Sequence, residues 1–79
     1  MIIEEAINRL STALSLLSNE KFDKELIRTL TNFIDQKHKD YIEQGLTTGD
    51  KTKIMHGIMG ALSHYEAEKY RNQQAVNIA

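Results

Sequence analysis

Apolar residues recur along this chain every three or four positions, with polar residues between them. Ile3, Ala6, Ile7, Leu10, Ala13, Leu14 and Leu17 follow an i, i+3, i+4, i+7 rhythm. At about 100° per residue they share one face of a helix, which the spacing predicts over about 2–17. Glu4 and Glu5 suit the positive end of its dipole. Ile2 and Leu16 fall off the stripe, as exposed residues or as contacts for a second chain.

A second helix is predicted over about 23–44. Asp23 is its expected N-cap, and Phe22 is placed to pack on Ile27 as a hydrophobic staple. The stripe is Leu26, Ile27, Leu30, Phe33, Ile34 and Tyr41, with His38 and Ile42 at one margin. Gly45 marks the expected C-terminal cap, with Leu46 folding back onto the last turn. Lys37 falls in the middle of the stripe. Two readings fit it: its methylenes lie on the core while the ammonium reaches water, or it meets a carboxylate of a partner chain.

The third helix, predicted over about 50–71 and capped by Thr48 or Asp50, carries "IMHGIMGALSHYEAEKY". Ile54, Ile58, Ala61, Leu62 and Tyr65 form its central stripe. Met55 and Met59 widen it on one side, Gly57 and His64 on the other. The apolar or small arc therefore exceeds half the circumference, more than a small bundle asks of one helix. Two glycines inside a helix cost about 1 kcal/mol each against alanine, which points to a need for space. Gly57, Gly60 and Ala61 are accordingly the expected site of close helix packing, within the chain or against another. The segment 72–79 reads as a polar tail.

Only "SNEK" (18–21) and "GLTTGD" (45–50) interrupt the pattern, and there is no proline. The expected fold is all-α and occupies residues 1–79 as a single domain. It is a small three-helix bundle with short connections, or a helical hairpin with an extra N-terminal helix laid across it.

Composition narrows the function. A chain of 79 residues supports one small core that gains from reinforcement. With no cysteine, disulfides and thiolate metal sites are excluded. The net charge of −1 comes from interspersed charges, without the basic stripe of a nucleic-acid binder. No apolar run approaches a membrane span, and "MIIEEAINRL" lacks the basic start of a signal peptide, so the expected compartment is the cytoplasm.

Candidate chemistry is sparse. No nucleophile–base set or glycine-rich phosphate loop is visible, and no enzyme activity or cofactor is expected. Asp35 with His38, and His64 with Glu68, have helix-face spacings that could contribute metal ligands. Each pair flanks its stripe and supplies only two groups, so no metal site is assigned. The expected function is protein–protein binding by a small adaptor, inhibitor or chaperone-like regulator. Its size and lack of cysteine suit a bacterial or phage product, and a homodimer is expected. Met55, Met59, Leu62, Tyr65 and Tyr70 are the expected partner contacts, with Lys37 and His38 near the edge. The alternative is a DNA-binding regulator of helix-turn-helix type, presenting Lys51, Lys53 and His56 at the start of the third helix. No arginine or asparagine lies in those first two turns, and this disfavours nucleic acid as the partner.

Overall fold

The computed structural model describes the backbone of residues 1–78 and the side chains of residues 1–73. Those residues form four helices and no strand: α1 (Ile3–Leu16), α2 (Lys24–Leu30), α3 (Gln36–Thr48) and α4 (Lys51–Ile78). The fold is the all-α class expected from the sequence. The tail assigned to 72–79 continues α4 in backbone as far as Ile78, while the side chains of 74–79 lie outside the described residues.

The continuous helix expected over 23–44 is instead two helices. Asp23 caps α2 as anticipated, its carboxylate accepting from the backbone N–H of Glu25 and Leu26 at 3.0 and 3.2 Å. The helix then stops at Thr31, whose backbone leaves the helical region at φ −109° and ψ 7°. The Thr31 side chain is buried, and its hydroxyl donates to the Ile27 carbonyl at 2.8 Å. Asp35 restarts the chain as the N-cap of α3. The interruption lets consecutive residues, Phe33 and Ile34, both pack on the core. In an unbroken helix they would diverge by about 100°.

The break also resets the helical phase of the residues after it, which explains why Lys37 and Tyr41 leave the expected stripe; Leu26, ahead of the break, leaves it too. Lys37 is exposed on α3 rather than lying on the core. Leu26 and Tyr41, expected on the stripe, are 41% and 40% exposed.

The second correction concerns Gly45. It was expected to end the helix, yet it is buried inside α3, and Leu46 is fully buried beside it. The left-handed cap is Gly49, at φ 73°. The backbone N–H of Asp50 returns to the Gly45 carbonyl at 2.9 Å. Asp50 then caps α4, its carboxylate accepting from the Lys53 N–H at 3.1 Å. The connection is thus much tighter than "GLTTGD" suggested.

α4 is the central element. The start of α1 lies beside Lys69–Gln73 and its end beside Lys51–Met55, so α1 runs antiparallel to α4. α3 runs antiparallel along another side, facing Ile54, Gly57 and Gly60 in turn. α2 closes the bundle against α1. The core comprises Leu10, Ala13, Leu17, Ile27, Ile34, Ile42, Leu46, Ile54, Ile58 and Ala61, drawn from all four helices and the α2–α3 turn. Each large aliphatic side chain buried there contributes about 1.5–3 kcal/mol.

Polar ties hold the edges of the bundle. The guanidinium of Arg28 on α2 grips Glu43 on α3 through two bonds of 2.9 Å and also contacts Glu25. The Arg28 bonds hold the Glu43 carboxyl below the usual carboxylate range. On the other side, Arg9 of α1 donates to the Thr29 carbonyl at 2.9 Å and lies over the Phe33 ring.

Candidate binding face

The two flanks of α4 do different things. On the α3 flank the glycines allow close approach. A Cβ on Gly57 would stand 2.6 Å from Cγ1 of Ile42, and one on Gly60 would stand 2.9 Å from Nε2 of His38. A Cβ on Gly45 would meet Cγ1 of Ile54 at 2.7 Å. Side chains of each helix thus fill the space left by glycines of the other. Ala61, fully buried, belongs to the same flank and to the core. The space these small residues leave is taken up within the chain.

His38 completes that seam. Its ring Nδ1 lies 2.6 Å from Asp35 Oδ1, while its backbone N–H donates to Asp35 Oδ2 at 3.4 Å. Asp35 therefore caps α3 and orients the imidazole with one carboxylate. The His38 bond holds the Asp35 carboxyl below its usual range. His64 is exposed and sets its ring edge against Tyr65, with centroids 5.4 Å apart. Among the described residues no group of three His, Asp or Glu side chains could hold a metal ion.

The α1 flank of α4 is open. Met55 and Met59 are 37% and 47% exposed and adjoin each other one turn apart. They line a groove of about 320 Å³ with Leu14, Leu17 and Ser18 of the α1 end and Lys51 and Thr52 of α4. Leu62, outside the groove lining, is half-buried and packs against the core. Tyr70 follows Met59 by eleven residues, about 20° away around the helix, and is 62% exposed. The groove has mostly apolar walls because Leu14 and Leu17 form its floor and the two thioethers its rim. That suits an apolar side chain inserted from outside, since methionine repacks at little cost.

The residues singled out from the sequence thus divide into separate groups. Met55 and Met59 line the groove with α1, and by helical spacing Leu62 and Tyr70 lie within about 60° of them around α4. Tyr65 points to the α2–α3 turn, where its ring packs on Phe33 at 5.7 Å. Lys37 and His38 belong to α3, across the molecule from the methionines. The α1 contribution, Leu14 with Leu17 and Ser18, was not anticipated. Both leucines lie on the expected core stripe, and periodicity alone does not tell a core wall from a groove floor.

The lysines at the start of α4 lie against the protein's own aromatic rings. Lys53 sits over Tyr41 at 5.1 Å and Lys51 over Phe22 at 5.8 Å. Among the described residues no helix is long and apolar enough to cross a membrane. Compared with known proteins, the chain matches no family model, no curated protein and no solved structure.

Proposed function

We propose that this chain is a small cytoplasmic, non-enzymatic protein that acts by binding another protein through the α1/α4 groove, as an adaptor, inhibitor or chaperone-like regulator. The observation that carries the proposal is the exposure of Met55 and Met59 over a floor of Leu14 and Leu17. The chain leaves adaptable apolar side chains in water on one flank of α4 while the other flank is closed tightly by glycine. Large exposed apolar groups that adjoin one another mark contact surfaces.

The test uses affinity capture from the native host with wild-type and Met59→Glu baits. A protein retained in stoichiometric amount by wild type and lost with the variant supports the reading, provided circular dichroism shows the helix content unchanged. Retention indifferent to the glutamate at position 59 overturns it.

A further inference from the structure

We propose that the occupant of the α1/α4 face is a second copy of this chain, docked antiparallel about a twofold axis that passes beside Met59. This rests on the reading above only in taking the α1/α4 face as a binding face; a different protein would reach that face by displacing the second copy. The face is apolar or neutral through its middle and charged at its ends. On α4, Thr52, Met55, Met59 and Leu62 point toward it at alternating spacings of three and four residues, and Glu66 continues the series. That is the spacing by which two helices pack side by side along a shared seam. Lys51 closes the groove at one end; at the other Glu66 stands beyond Met59, and one turn further on Lys69 lies beside Ile2, Ile3 and Glu4 of the α1 start.

The order of charges selects the occupant and its direction. A twofold axis perpendicular to α4 exchanges the two ends of the face. Lys51 precedes Met59 by eight residues and Glu66 follows it by seven, so each lysine falls opposite the glutamate of the other copy. A parallel arrangement would set lysine on lysine and glutamate on glutamate. Within one chain the two are about 22 Å apart along the helix axis and cannot meet. In the single chain the Lys51 ammonium donates to the Asn19 carbonyl at 3.2 Å. Pairing exchanges that neutral acceptor for a carboxylate on an exposed arm.

The dimensions are compatible. From Lys51 to Tyr70 the face runs about 30 Å along α4. Across α1 and α4 the molecule is about 20 Å wide, as its short axes of 21 and 19 Å require. The resulting footprint of about 600 Å² approaches the roughly 800 Å² per partner of a standard interface. The net charge of −1 leaves little repulsion between copies.

The chain has no cysteine, so a single introduced thiol reports only contacts between copies. Met59→Cys should give a covalent dimer under mild oxidation, while Tyr41→Cys, exposed on α3, should stay monomeric at the same concentration. Sedimentation equilibrium should show Lys51→Glu and Glu66→Lys each weakening the dimer about five- to tenfold, and the double variant regaining wild-type affinity within about twofold. The inference is overturned by a chain that stays monomeric at millimolar concentration. It is equally overturned by faster crosslinking through position 41, or by a dimer indifferent to both charge reversals. Should any of these occur while Met59→Glu still abolishes capture of a different protein, the binding reading stands and only its occupant is wrong. A dimer with the expected behaviour, beside capture indifferent to Met59, would instead sink the proposed adaptor role alone.

Discussion

Ile42 of α3 occupies the space that a side chain at Gly57 of α4 would need, with its Cγ1 2.6 Å from the position of the missing Cβ. Ile42 is 2% exposed, and this carbon lies near the base of its side chain, so it has little room to yield. The contact sets how closely α3 and α4 approach.

Gly57→Ala therefore brings two opposed effects. Alanine favours the helix by up to about 1 kcal/mol, and the forced displacement of a packed core costs about 1–3 kcal/mol. The clash should dominate and lower the melting temperature by several degrees. Gly57→Leu should destabilise far more. Combined with Ile42→Ala, Gly57→Ala should cost less than the sum of the single changes, as a thermodynamic cycle by thermal melting would show. A strictly additive cycle would mean that the two residues do not share this space.

Gly49 provides a contrast, since nothing lies within 4 Å of a Cβ built on it. Its demand is purely conformational, through a φ of 73°. Gly49→Ala should cost about 1–2 kcal/mol. Gly49→Asn should cost less, because asparagine tolerates the left-handed region better. Urea melts of the pair check the order.

Asp35 serves the α3 N-terminus through two acceptors, one for the His38 backbone and one for its ring. Asp35→Ala should lose about 1 kcal/mol as the cap disappears, and Asp35→Asn much less, since asparagine also caps. Equal losses in the two variants would point away from capping as the main role.

The pH dependence has a definite sign. The carboxyls of Asp35 and Glu43 are both held below their usual range, by His38 and Arg28 respectively. Their unfolded-state pKa values are therefore the higher ones, and the unfolded chain takes up protons first as pH falls. The stabilisation is complete above the unfolded values and disappears as pH drops through the folded ones, from about pH 5 downward. Glu43→Gln should flatten that acid limb. Both groups are exposed, so the flattening should be modest. An acid melt identical to wild type would show that Arg28 contributes no pH-dependent stability through Glu43.

Helix content and the core of α1 and α4 were legible because their stripes run unbroken at helical spacing. The α2–α3 break was less visible. Leu26 to Ile34 keeps the same period, and only two weak signals oppose it: the hydroxyl of Thr31 and a cap-forming Asp35 three residues before His38. Asp35 and His38 invited a reading as ligand chemistry, where the structure uses them as a cap and its orienting partner. Gly45 misled for a related reason. A glycine near a turn can end a helix or admit a neighbour, and periodicity cannot rank the two when Gly49 lies one turn further on. Met55 and Met59 stood out from the width of the apolar arc, but their groove also required Leu14 and Leu17, whose place on α1 is known only once α1 is docked.

The tight α3–α4 connection also has a kinetic consequence. Gly45 with Ile54, Ile42 with Gly57, and His38 with Gly60 are separated by 9, 15 and 22 residues. The contacts of α1 with α4 join much more distant parts of the chain, and chain closure grows less probable with length. The helical hairpin is thus expected to assemble first and α1 to dock onto it last and leave it first, in a partial opening short of full unfolding. Native-state hydrogen exchange should find α1 amides less protected than those of Ile42, Leu46, Ile54 and Ile58. Uniform protection across the helices would mean a single cooperative unit. Because Leu14 and Leu17 floor the groove, release of α1 would dismantle it, tying the lifetime of the binding face to the docking of that one helix.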